Sequence, residues 1–249
     1  MNQEMMYKKQ RYLLTKALKE HGIFDIFIKH GVVIAGGAIR AVFAGEKISD
    51  YDVYFKNNEI KNDFIKDFSD KATVLGKTDN AITFAHCLEN EKIYVQSCIL
   101  PNAMFEDVSK IIETFDFTCC MGAFDCGTLQ FILHSSFLPD LARRELKINV
   151  NTKYPICTLF RVKKYIAKGY KISGTECIKL ALAINKLNMK NYQELKEQLN
   201  GIDTLFLKEL TDKLMSDEYR EKDYDFNEFL EMLDNYFEDM VSETEIFIS

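Results

Sequence analysis

The segment from Gly31 to Phe55 constrains this chain more than any other stretch, because an apolar strand, a double-glycine turn and an acidic strand follow one another there. Gly31 to Ala35 is an apolar run of strand length. It is followed by Gly36-Gly37 and then by an apolar-periodic segment that starts a helix and carries Arg40. The glycines let backbone N–H groups come close to a phosphate, and the helix start adds more such groups. After Gly45, Ser49-Asp50-Tyr51-Asp52-Val53-Tyr54-Phe55 reads as a second strand. Side chains two apart on a strand share a face, so Asp50 and Asp52 project together while Tyr51 and Val53 face the other way. Two carboxylates on a rigid strand suit hard divalent cations such as Mg2+ or Mn2+, which take oxygen ligands from protein and phosphate alike. A pair of such ions can stabilise both the attacking and the leaving oxygen of an in-line phosphoryl displacement.

Three further blocks follow in order: Phe115-Asp116-Phe117-Thr118-Cys119-Cys120-Met121-Gly122-Ala123, Asp140-Leu141-Ala142-Arg143-Arg144-Glu145-Leu146-Lys147, and Phe160-Arg161-Val162-Lys163-Lys164-Tyr165. With the glycine turn and Asp-x-Asp, they resemble the polymerase β-type nucleotidyltransferases, and within them class II CCA-adding enzymes and bacterial poly(A) polymerases. The likeness spans residues 31 to 170. It implies an α+β architecture, a nucleotidyltransferase (polymerase β-like) mixed-sheet head domain followed by an all-helical C-terminal domain. It also implies NTP as substrate, Asp50 and Asp52 as metal-holding catalytic residues, and Gly36, Gly37, Arg40, Asp116, Arg161 and Lys164 around the nucleotide. In that family a third carboxylate often comes from the next central strand. Gln96 stands there in Tyr94-Val95-Gln96-Ser97-Cys98.

With 249 residues the chain can hold one large or two small domains. Tyr154-Pro155 marks the boundary between 1–153 and 154–249, since a residue before proline is pushed out of the helical region. No apolar run approaches the roughly 20 residues of a membrane span, and Met1 to Arg11 lacks an apolar leader. Seven cysteines, an odd number that includes the neighbours Cys119 and Cys120, are read as reduced thiols in core packing. These features make a cytoplasmic protein the expectation.

The net charge of −6 argues against RNA gripped along the whole length of the protein, so an RNA acceptor would rest on a local patch. Arg143 and Arg144 lie at the centre of the most basic region, and the acid is concentrated in Ser216 to Glu245.

Along the chain, the spacing predicts helices within Met5–Lys29 broken at Gly22, at Ala38–Phe43, Lys56–Phe68, Asn102–Ile112 and Thr158–Lys168. It predicts strands at Thr73–Leu75, Ala81–His86, Lys92–Leu100, Phe115–Ala123 and Leu129–Ile132. The base-selecting Asp-x-x-Arg of CCA enzymes has no counterpart around Leu187 to Glu194, so base preference does not carry over. The first functional reading is template-independent transfer of NMP from NTP to an RNA 3′ end, tRNA-like, by two-metal chemistry. The alternatives are a toxin- or defence-type transferase acting on a protein, small molecule or tRNA end, and a degenerate nucleotide-binding module.

Overall fold

A computed structural model describes residues 7–77, 81–88, 91–98 and 107–188, together with Glu194, Gln198 and Glu231. The chain forms two compact units, one of residues 1–152 with 169–176, the other of 153–168 with 177–249.

In the first unit seven strands make one sheet: β1 Val33–Ala35, β2 Asp50–Tyr54, β3 Thr73–Lys77, β4 Ala81–Leu88, β5 Glu91–Cys98, β6 Gly122–Asp125 and β7 Gln130–Leu133. Their order across the sheet is β3-β4-β5-β2-β1-β6-β7. Every pairing is antiparallel except β2 with β5, so the sheet is mixed. A parallel pair needs a crossover, and here the chain returns from β2 to β5 through helix α4, Asn58–Ser69, and the β3–β4 hairpin. Asn57 starts that helix by accepting a hydrogen bond from the Ile60 N–H at 2.9 Å, a side-chain N-cap.

One sheet face is closed by α1 (Lys8–Glu20), α2 (Phe24–His30) and α4, which bring Leu14, Leu18, Phe27, Phe64 and Phe68 into the core. Phe64 and Phe68 stack at 5.1 Å, and Phe27 meets Phe64, Phe68 and Tyr51. Each fully buried side chain of this size contributes about 1.5–3 kcal/mol. Tyr51 is wholly buried, and its hydroxyl is satisfied by His21 Nδ1 at 2.8 Å, which fixes β2 from behind.

The opposite face is only partly covered. Helix α5, Val108–Ile112, packs with Val33, Ala35, Met121 and Ala123, with Tyr54 and Phe115 at the margin. Asp50 and Asp52 are left half-exposed, and Tyr94 and Gln96 are exposed.

Most of the expected elements form within a few residues of their predicted bounds. Of the expected Asn102–Ile112 helix, the part before residue 107 lies outside the described residues, as does the acidic segment 216–245 apart from Glu231. Phe115–Ala123 is a correction. Phe117 makes only an isolated bridge to Ile148, Thr118–Cys120 is a 3-10 turn, and regular pairing starts at Gly122. Tertiary bonds override the strand-like composition: the Thr118 N–H donates to Lys147 O at 3.1 Å and its hydroxyl to Asp140 Oδ2 at 2.5 Å.

In the second unit, Pro155 occupies the first turn of α7 (Pro155–Ala167), where its missing N–H costs nothing. The Thr158 hydroxyl donates to Tyr154 O at 3.1 Å, and Gln198 Nε2 donates to Lys153 O at 2.8 Å. Helix α8, Gly174–Asn185, has its first residues in the first unit, where Ser173 Oγ accepts from the Glu176 N–H, and its residues from Cys177 onward in the second.

Candidate active site

Gly36 turns the chain out of β1 with φ 76° and ψ −126°, a conformation open in practice to glycine alone. Space is not the reason, because a Cβ there would meet Phe115 at 3.5 Å and Asp52 Oδ2 at 3.7 Å, ordinary contacts. The same measurement brings the turn against the carboxylate of Asp52. The Gly36 N–H donates to Gly122 O at 3.0 Å, so what this residue supplies to the turn is its backbone conformation. Helix α3 (Gly37–Ala44) follows, and its first internal bond runs from the Arg40 N–H to Gly36 O. The N–H groups of Gly37, Ala38 and Ile39 therefore precede the helix's own ladder. A Cβ on Gly37 would touch nothing within 4 Å, so this is the open approach to the turn.

Burial along β2 alternates, with Asp50, Asp52 and Tyr54 half-exposed and Tyr51 and Val53 buried. The two carboxylates thus lie on one sheet face. Ser49 Oγ donates to Asp50 Oδ1 at 2.5 Å. In register, Asp52 lies between Ala35 of β1 and Gln96 of β5, and Asp50 lies beside Tyr94. Among the described residues no group of three or more His, Cys, Asp or Glu side chains gathers in a metal-binding arrangement. Asp50 and Asp52 are the residues that could hold a divalent cation, with phosphate oxygens and water completing its shell. The amide of Gln96 occupies the neighbouring strand position.

Arg40 is placed differently from the phosphate contact expected of it. Its side chain is 3% exposed, pairs with Glu46 Oε2 at 2.7 Å and donates to the Tyr170 hydroxyl at 3.2 Å. Tyr170 also lies against Arg144, 6.0 Å from its guanidinium carbon, and burial raises the phenol's pKa. Arg144 ends α6 (Phe137–Arg143) in the left-handed region, φ 53°, while Arg143 is exposed and 3.9 Å from Asp140. Asp116 is buried, and its carbonyl accepts the Asn149 N–H at 2.8 Å. Arg161 and Lys164 are exposed on α7 in the second unit.

Cys119, Cys120 and Cys126 are buried and free of disulfides. The hydrogen bond with Cys120, and then burial, raise the Cys119 thiol well above its ordinary range; burial, and then the charge of Asp125, does the same for Cys126. Both are packed in the core as protonated thiols.

Glu46 and Tyr94 were not singled out from the sequence. Period-two alternation through Gln96 could have found Tyr94, whereas nothing local ties Glu46 to Arg40.

A family model described as Gabija anti-defense 2 family protein matches residues 4–144, more than half of the chain. A relative from Bacillus phage SPbetaL7, named Gabija anti-defense 2, is 35% identical over 224 residues, covering 90% of this chain and 52% of the relative. The chain thus spans about half the length of that relative. Among solved structures, a CCA-adding enzyme with ATP superposes at TM-score 0.51 and 17% identity, over 80% of this chain and 53% of that one. A tRNA-processing enzyme in an apo form superposes at 0.51 and 16%, over 84% and 60%. At such identity the likeness concerns the fold alone: an α+β nucleotidyltransferase fold with a mixed sheet.

Proposed function

The chain belongs to the Gabija anti-defense 2 family, and from that premise we propose that it is a nucleotidyltransferase that moves NMP from an NTP onto an acceptor. The observation that supports this reading is the common face of Asp50 and Asp52 beside the Gly36-Gly37 turn. Residues 1–153 would serve as the head domain and 154–249 as the helical domain.

In this reading Gly36 sets the turn, and the N–H groups at the start of α3 receive the triphosphate. Asp50 and Asp52 would hold Mg2+ or Mn2+, which when bound neutralises phosphate charge and polarises the reacting oxygens. Their carboxylates orient the nucleotide against the sheet face. Positioning and charge carry most of a phosphoryl displacement, so no covalent nucleophile is called for. Asp116, Arg161 and Lys164 are proposed to reach ribose and phosphate.

The acceptor in the first reading is an RNA 3′ end of tRNA-like character, with Arg143 and Arg144 contacting its backbone. Family membership favours a second: a protein, small molecule or tRNA end belonging to the opposed defence. The test is incubation with each labelled NTP, Mg2+ or Mn2+, and RNA or protein fractions from cells that carry the defence. Label in RNA that is lost on reversing Arg143 and Arg144 to glutamate supports the first reading. Label in protein or small molecules supports the second. Absence of label from every pool, equal to that of Asp52→Asn, overturns the transferase.

A further inference from the structure

The face that carries Asp50 and Asp52 continues onto β5 as Tyr94 and Gln96, and neither residue has a role in the chemistry above. Tyr94 is 39% exposed on a strand with neighbours on both sides, an unusual place for an uncovered aromatic ring. The cross-sheet rows explain its accessibility. Tyr94 lies between Ala85 of β4 and Asp50 of β2, and Gln96 between Thr83 and Asp52. Ala85 is too short to cover the ring. Adjacent strands are about 4.8 Å apart, so the ring stands one strand away from the paired carboxylates. Lys92, two residues earlier on the same face, lies with Nζ 5.2 Å from the ring centroid.

We propose that Tyr94 is the stacking platform for a base of the acceptor, a single-stranded RNA 3′ end, with Lys92 facing its phosphate and Gln96 presenting amide donors and acceptors toward the reacting end. Open sheet faces read single-stranded RNA by stacking bases on strand aromatics, with cations beside them for the backbone. A ring has two faces. Lys92 takes one, and a base on the other meets a ring already polarised by the cation. A protein acceptor would gain little from this combination, whereas a nucleotide offers a π-face, an anion and base edges at once. The neutral Gln96 also lessens the repulsion that an acid there would exert on phosphate.

The inference rests on the transferase reading for its choice of acceptor, so its test measures binding without turnover. The full-length chain is titrated in Mg2+ with a short fluorescein-labelled single-stranded RNA and, separately, with a fluorescent ATP analogue. Tyr94→Ala should weaken RNA binding by about tenfold or more, and Tyr94→Phe should keep it within about twofold, because stacking needs the ring and not the hydroxyl. Affinity for the ATP analogue should stay unchanged in both. Unaltered RNA affinity in Tyr94→Ala, an equal loss for the ATP analogue, or no RNA binding by the unmodified chain would each overturn the platform. If RNA binding depends on Tyr94 while no nucleotide is ever transferred, the platform stands and the transferase reading fails.

Discussion

Asp52 on β2 lies in register with Gln96 on β5, the one parallel pairing among the described strands. The second carboxylate of the candidate site therefore has a neutral amide as its neighbour. Gln96→Glu would set a third acid beside two existing ones and raise the affinity of the face for divalent cations. The expected outcome is a changed Mg2+/Mn2+ preference or modestly higher transfer, read from initial rates over a metal titration. Identical profiles would remove Gln96 from the site.

Asp50→Asn and Asp52→Asn should each reduce transfer by at least about 100-fold and leave the fold intact. Both side chains are half-exposed and of like charge, so neutralising either relieves repulsion and holds stability within about 0.5 kcal/mol. Single-turnover rates and thermal melts, compared variant by variant, separate the two effects. Near wild-type turnover in either variant would remove that residue from the chemistry.

The two glycines of the turn should fail in different ways. Gly36→Ala forces an L-residue to φ 76°, at a cost of about 1–3 kcal/mol. Gly37→Ala meets nothing within 4 Å, so stability should hold or rise by up to about 1 kcal/mol. Its methyl group would instead occupy the approach to the helix start and weaken NTP binding. Urea unfolding paired with nucleotide titration distinguishes these outcomes, and the reverse pattern would sink the cradle.

Arg40 is expected to act on stability first. Removing a 3%-exposed guanidinium leaves Glu46 without its cation and Tyr170 without its donor. Glu46 is itself 26% exposed, which puts the loss for Arg40→Ala at about 2–3 kcal/mol, below that of a wholly buried pair. Glu46→Gln should cost less. Chemical denaturation of both variants checks this, and a loss of NTP affinity at unchanged stability would restore Arg40 to direct phosphate contact.

The α2–α4 contact should show in the acid limb of unfolding. Hydrogen bonds from Lys29 and then His30 hold the Asp67 carboxyl below its ordinary 3.8. A depressed carboxylate contributes stability above its unfolded pKa and loses it as pH falls through the folded value. Asp67→Asn should thus lower stability slightly at neutral pH and flatten its decline below about pH 4. Circular dichroism melts across that range measure it; parallel curves for the two proteins would exclude the effect.

Local pattern carried the sequence reading a long way. The alternation of β2 placed Asp50 and Asp52 on one face before any partner strand was known, because strand geometry is set by each residue's own backbone. Gly36 was legible for the same reason, since only glycine tolerates such a turn. The apolar spacing of Lys56–Phe68 likewise anticipated a helix there, which forms as α4, Asn58–Ser69. Tertiary structure decided the rest, through groups distant in sequence competing for the same polar atoms. Phe117 to Met121 has the composition of a strand, yet Asp140 and Lys147 O bind Thr118 and wind it into a 3-10 turn. Arg40 follows the glycine turn as a phosphate arginine would, yet Glu46 and Tyr170, the latter 130 residues away, hold it inside. Tyr94 lies beside Asp50 only because β5 pairs in parallel with β2, and register between strands depends on contacts that no single segment contains.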